Sequence, residues 1–265
     1  MSDPTNRRAV PFRGGGFNPV PRRLLPWLVL VVLIAAWQAA SSVGLLPALF
    51  MPSPAAIVRA LVELWLNGTL VEHISASLQR IIPGWIIGTA AGLAVGTAMG
   101  IFSAARAAGL PVVSALFPIP KIALLPLLIL WFGIGEPSKV ATIALGVFFP
   151  TVISAYSACD SVPRNLIRMA QSFGLPATDI VAKIILPGAM PGILAGFRIS
   201  ASVALLLVVA AEMIGAQYGI GAFELQAGNL MQTDQLMAGV VMLSVLGLLI
   251  AWGLGMVERS VLRWR

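Results

Sequence analysis

The sequence predicts an all-α polytopic membrane protein with six transmembrane helices, and three observations carry that prediction. Of 265 residues, 58% are hydrophobic and only 10% charged, against about 25% charged in soluble domains. Uncharged stretches of 35, 25, 20 and 23 residues run over 24–58, 81–105, 140–159 and 235–257; roughly 20 apolar residues of helix cross a hydrocarbon core about 30 Å thick. The 17 Lys and Arg exceed the 10 Asp and Glu, giving +7, and they are unevenly placed. In a soluble chain that excess would suggest nucleic acid; here orientation in a membrane explains it, with no nucleic-acid partner. One cysteine (Cys159) excludes a disulfide framework, and one histidine (His73) leaves no zinc cluster or His-based triad, so neither a metal site nor catalytic residues are expected.

Residues 1–23 hold five arginines, four prolines and Gly14-Gly15-Gly16, a composition unable to bury a core. They are expected to form a disordered basic cytoplasmic tail, leaving 24–265 as the membrane domain. A cleaved signal peptide fits less well, because the basic region is long and the apolar segment behind it exceeds a signal core. The first span is expected over Leu24–Ser42. Met51-Pro52-Ser53-Pro54 then marks a break, and Ala55–Leu66 reads as a short external helix. Further spans are expected over Ser75–Phe102, Leu110–Phe132, Lys139–Cys159, Ala189–Met213 and Leu236–Val257. With both termini in the cytoplasm, 12 basic residues lie inside and only Arg59, Arg80 and Lys139 outside; the inverted arrangement opposes the positive-inside bias.

The second span carries Gly84, Gly88, Gly92, Gly96 and Gly100, and the fifth Gly188, Gly192 and Gly196. Spacing by four puts each set on one helix face. Helices in lipid associate by close contact rather than hydrophobic exclusion, so these stripes predict helix packing. Pro118, Pro120 and Pro126 interrupt the third span. A broken helix in lipid needs protein or a wet cavity to satisfy its freed carbonyls, so this helix either lines a pathway or is simply kinked.

Charges within spans are functional candidates. Lys121 and Arg198 could add positive potential to an anion path, or could snorkel or cap carbonyls freed by the prolines. Glu212, near the outer end of the fifth span, could repel anions at a closed gate; a structural pair is favoured. His73 is expected in an exposed loop and Cys159 at a helix end. The tryptophans near span ends, Trp27, Trp65, Trp131, Trp252 and Trp264 among them, suit an interfacial belt.

Asp160–Leu186 is too polar to span. Pro163 fits the first turn of a helix, and Leu166, Met169, Ala170 and Phe173 form its apolar stripe. Gly174 suits the position past the helix end and Pro176 enforces the stop. A second short helix is expected to run to Pro187. By physics alone this is equally an amphipathic helix resting on a membrane surface.

These residues also carry a resemblance. Arg168-Met169-Ala170-Gln171-Ser172-Phe173-Gly174, with Ile185-Leu186-Pro187 after ten residues, resembles the EAA loop of permease subunits of ATP-binding-cassette (ABC) importers. Met51-Pro52-Ser53-Pro54, Pro118-Ile119-Pro120-Lys121, Leu125-Pro126-Leu127, Trp131-Phe132-Gly133-Ile134-Gly135 and Ala210-Ala211-Glu212-Met213-Ile214 extend the similarity to the nitrate/sulfonate/taurine branch over about residues 24–264. The resemblance implies a type I importer permease fold in the bacterial inner membrane. It also implies a second copy of the chain, two ATPase subunits and an extracytoplasmic substrate-binding protein as partners. ATP and Mg would sit on the ATPase, since each lysine here is followed by an apolar residue and no Walker A motif occurs. Arg164 and Arg168–Gly174 would form the coupling helix docking into the ATPase. Arg168 and Met169 depart from the family's usual Glu and Ala, which implies a locally different partner surface. The cargo implied is an aliphatic sulfonate, taurine or nitrate, or another small solute such as an aromatic acid or vitamin precursor. An ion-gradient transporter fits less well, because no acid lies near a span centre.

Overall fold

A computed structural model describes residues 24–263; the expected basic tail at 1–23 lies outside the described residues. The chain divides into two compact units, Met1–Ala55 and Ala56–Arg265. In the first, α1 (Leu25–Ser42) is an 18-residue helix of mean hydropathy 1.7. Pro26 stands in its opening turn, where a missing N–H costs no hydrogen bond. The Ala55 N–H donates to Gln38 Oε1 at 3.1 Å, folding the segment after α1 back onto it.

In the second unit, α2 (Pro54–Leu66) buries Ile57, Ala60 and Leu64, one face of an amphipathic helix. The core is a trio of long helices: α3 (Thr69–Ile101), α6 (Glu136–Asp160) and α9 (Leu186–Glu212). The glycine stripe of α3 lies directly on α6. A Cβ at Gly84 would stand 2.8 Å from Ile143 Cβ, one at Gly92 2.7 Å from the Phe148 carbonyl, and one at Gly96 2.8 Å from Ala155 Cβ. The contacts advance together along both helices, so α3 and α6 run parallel. The stripe of α9 meets α6 in the opposite sense: Gly188 faces Val162, Gly192 faces Ala158 and Gly196 faces Ser154. Removing the side chain lets backbones approach where hydrophobic exclusion supplies no drive.

This parallel arrangement decides how the third span is built. Expected over Leu110–Phe132 with interruptions at its prolines, it is broken: α4 (Ser103–Leu116) and a 3₁₀ turn (Lys121–Leu124) leading into α5 (Leu125–Phe132) meet at 86°. Pro118 and Pro120 supply no N–H, so helical pairing fails there. Because α6 starts at the same end as α3, segment 103–135 must cross back through the full depth. The bent pair is therefore one broken span, not a loop returning to its own side.

Three further boundaries differ from expectation. The fourth span begins at Glu136 and buries Lys139. The polar segment before the fifth span does not end in a separate helix. α8 (Ala177–Ile180) runs through a π-helical turn (Val181–Ile185) straight into α9. Pro187 cannot donate to the residue-183 carbonyl, and the wider turn absorbs that defect. The looped segment before the last span contains α10 (Ile220–Asn229), and α11 (Thr233–Val261) completes the chain with mean hydropathy 2.4.

Candidate functional site

The helix expected after Pro163 is present as α7 (Arg164–Ser172), with Pro163 immediately before its first turn. Its end is closed by two bonds: Gly174 N–H to the Gln171 carbonyl at 2.9 Å, and Leu175 N–H to the Ala170 carbonyl at 3.1 Å. Gly174 has φ +75°, so this is a Schellman cap built on a residue that tolerates left-handed backbone. Of the apolar stripe, only Ala170 is buried; Leu166, Met169 and Phe173 are exposed, Phe173 at 76%. Arg164, Arg168, Gln171 and Ser172 are exposed beside them. The helix therefore offers an exposed apolar stripe edged with two arginines among the described residues.

At the end where α3 and α6 begin, a buried charge cluster ties the trio together. Arg80, 4% exposed, donates from Nε and Nη2 to both oxygens of Glu136, at 2.5 and 2.8 Å. Its Nη1 donates to Glu212 Oε1 and to the Tyr218 carbonyl, both at 2.7 Å. Glu212, 1% exposed, also accepts from Ser77 Oγ at 2.8 Å and from Gly221 N–H at 2.9 Å. Ser77 Oγ in turn accepts from Ile220 N–H at 2.9 Å, and His73 Nδ1 accepts from Gly219 N–H at 3.0 Å. Gly219 (φ +133°) has no alternative, since a Cβ there would run into Glu212 and Arg80. Lys139 completes the group, 3.8 Å from Glu136 and donating to the Gly135 carbonyl. Every ligand of the cluster that comes from a different helix fixes one helix to another: α3 to α6, α3 to α9, and α3 to the α9–α10 turn. A buried ion network that is fully hydrogen-bonded specifies one arrangement rather than adding much stability.

One expectation is corrected here: His73 is not an exposed loop residue but is buried within α3. Arg80 and Lys139, which the charge count had on the outer side, are only 4% exposed each. Glu212 sits where a structural pair was favoured. The signal lay in the registers already noted. Stepping back four from Gly84 reaches Arg80, and stepping on by four from Gly196 passes Ser200, Ala204 and Val208 to Glu212, all buried. Trp85 Nε1 donates to Ser200 Oγ at 2.9 Å within the same seam.

Lys121 lies in the break of the third span. Its three ammonium hydrogens have three backbone acceptors: the carbonyls of Leu116, Phe117 and Ile119 at 2.8, 2.9 and 2.7 Å. Leu116's helical donor would have been Pro120. The ammonium also stands 4.4 Å from the Phe149 ring centre, pinning the elbow to α6. The structure thus places Lys121 on the freed carbonyls. Arg198 lies far from both groups, at 2.5 Å from Glu258 of α11. Lys121, Arg198 and Glu212 are therefore not brought together into one site. At the end opposite the buried cluster, Arg106 of α4 pairs with Asp160 of α6 at 2.9 Å. Among the described residues no group of three or more His, Cys, Asp or Glu side chains could hold a metal.

Comparison with known proteins agrees with this architecture. The profile of the binding-protein-dependent transport system inner membrane component family matches residues 88–263. The taurine transport system permease protein TauC of Escherichia coli K12 is 35% identical over 240 residues, covering 89% of this chain and 87% of that protein. Putative aliphatic sulfonates transport permease proteins SsuC are 36% identical in E. coli K12 (91% and 92% covered) and 35% in Bacillus subtilis 168 (90% and 86%). An inward-facing structure of the MetNI methionine ABC transporter superposes with TM-score 0.65 at 22% identity, covering 74% of this chain and 97% of that one, which establishes the shared fold. With that family model matching about two thirds of its length and relatives alike over about nine-tenths, the chain belongs to the binding-protein-dependent inner membrane component family, the permease subunits of ABC importers, which carry no ATPase site of their own.

Proposed function

We propose that this chain forms the transmembrane path of an importer for taurine and related aliphatic sulfonates, and that α7 couples that path to a separate ATPase. The observation that carries the coupling role is the exposed apolar stripe of α7. Leu166, Met169 and Phe173 stand on a helix with a closed cap and remain exposed among the described residues. The taurine and sulfonate relatives, alike over about nine-tenths of the chain, support the cargo class.

In this reading two copies pair, each docks α7 on an ATPase subunit that holds ATP and Mg, and an extracytoplasmic binding protein delivers substrate. The positive-inside bias supports a cytoplasmic position for both termini and α7, and the Arg80 cluster then lies at the outer end. Closure of the ATPase pair moves α7, which is joined to the ends of α6 and α9. Glycine contacts without intervening side chains pass that displacement on as near rigid-body motion. The Arg80 cluster holds the outer ends of α3, α6 and α9 in one fixed arrangement until the pull changes it.

The test is ATP-driven uptake by the full chain reconstituted with its ATPase and binding protein. Uptake of taurine or an alkanesulfonate over nitrate is the expected result. Nitrate preferred over both would overturn the cargo assignment, and failure of any ATPase subunit to co-purify would overturn the coupling role.

A further inference from the structure

Arg198 is the charge that the transport reading leaves over. It stands 14 residues before Glu212 in the continuous apolar helix Ala177–Glu212, about 21 Å along the axis from the buried cluster. Its side chain is nevertheless 52% exposed. An exposed charge within a span is costly unless it finds a partner or reaches the headgroup layer. Arg198 does both: it reaches towards the end of α11 and meets Glu258 there at 2.5 Å.

Around that pair is a cavity of about 470 Å³, open towards the exterior and lined also by Trp252, Gly255 and Arg259. Gly255 keeps its wall low, because a Cβ there would lie 3.4 Å from Arg198 Nη2. Two arginines face one carboxylate in the lining, and exposed Arg263 follows four residues after Arg259. Positive charge therefore remains in excess after Glu258 is counted. α11 has 29 residues, about 44 Å against a core of about 30 Å, so its last turns stand in the headgroup layer. Trp252 opens the cavity on the side of the apolar core, where an amphipathic ring is favoured. Next along α11, Val245, Leu248 and Leu249 are exposed, Leu248 at 70%. A cationic cup above an apolar lane has the amphiphilic shape of a phospholipid.

We propose that the cleft between α9 and α11 binds an anionic phospholipid. Its phosphate lies against Arg198 and Arg259, and Glu258 holds the Arg198 guanidinium in place. An acyl chain runs past Trp252 along Leu248. A zwitterionic headgroup would leave the excess charge unbalanced, and a free anion would leave the apolar lane unused. The site does not depend on which solute the importer carries.

The test uses the full chain in phosphatidylcholine vesicles containing a small fixed fraction of brominated phosphatidylglycerol or brominated phosphatidylcholine. Bromine quenches tryptophan on contact, and the difference between wild type and Trp252→Phe isolates the Trp252 signal. The anionic lipid is expected to quench Trp252 more strongly at equal mole fraction. Arg259→Gln, an exposed position that leaves the fold intact, is expected to reduce that preference about fivefold, while thermal stability is unchanged. Excess inorganic phosphate is expected not to displace the lipid. Equal quenching by the two lipids, an unchanged preference in Arg259→Gln, or full displacement by phosphate (the mark of a soluble-anion site) would each overturn the proposal.

Discussion

Replacing Arg80 with methionine tests the buried cluster most severely. The guanidinium makes four hydrogen bonds, two to Glu136, one to Glu212 and one to the Tyr218 carbonyl. Methionine keeps much of the aliphatic stem and removes all four. Glu136 is 59% exposed along its side chain and can turn to water, but Glu212 is fully enclosed and cannot. It keeps only Ser77 and Gly221 as donors for a full negative charge. Removing one partner of a buried pair costs about 3–5 kcal/mol, which for a chain of this size lowers the melting midpoint by roughly 6–20 °C. Cys159, the single cysteine, is buried beneath Gly100, so a thiol-reactive dye reports opening of the α3–α6 seam directly. Arg80→Met is expected to react at a much lower temperature than wild type. The double variant Arg80→Met/Glu212→Gln removes the stranded charge and is expected to melt above Arg80→Met. Should Arg80→Met melt with wild type, or the double variant melt lower still, the cluster does not hold the helices as described.

Four further outcomes follow from the same geometry. Gly92→Val forces α3 from α6, because its Cβ meets the Phe148 carbonyl at 2.7 Å and Thr151 Cβ at 2.8 Å; a loss of about 1–3 kcal/mol or more is expected in the dye melt. Gly253→Ala meets nothing within 4 Å and is expected to stabilise by up to about 1 kcal/mol, which shows that position rather than glycine content decides. Lys121→Met strips three carbonyls of their donor and is expected to cost about 1–3 kcal/mol, read as a lower midpoint in the dye melt. Glu224 of α10 has a buried Oε1 with no partner, and burial together with the Glu212 charge pushes its carboxyl above the usual range. The native state then holds its proton to higher pH than the unfolded chain does. Its contribution to stability is present at low pH and is lost as pH rises from the ordinary carboxylate range through the raised value. Glu224→Gln is expected to flatten that dependence and to raise the melting point at neutral pH; an unchanged profile contradicts the assignment.

Much of this architecture was legible because lipid imposes a simple rule. A helix must be apolar over its span and small where it touches another, and both properties are written in residue type and spacing. The stripes Gly84–Gly100 and Gly188–Gly196 and the loop helix ending at Gly174 could be read in that way. What escaped depends on depth and on three-dimensional closure. The burial of Arg80 and Lys139 escaped because hydropathy averages over a window and cannot say that three helices converge on one guanidinium. His73 looked like a loop residue because the second span was expected to start at Ser75, whereas α3 starts at Thr69 and turns His73 inward. The elbow at Pro118–Lys121 was foreseeable as a kink. Its 86° angle was not legible, because prolines mark where helical pairing fails and not how far the chain turns.

The central claim is that α7 is gripped by a separate ATPase. Phe173 offers the most direct measurement, because its side chain is 76% exposed and stands at the closed end of the helix. A photo-crosslinking side chain placed there in the assembled transporter is predicted to join this chain to an ATPase subunit, with a yield that changes when ATP is added. Crosslinks to lipid alone, or to no protein in either nucleotide state, would contradict the account.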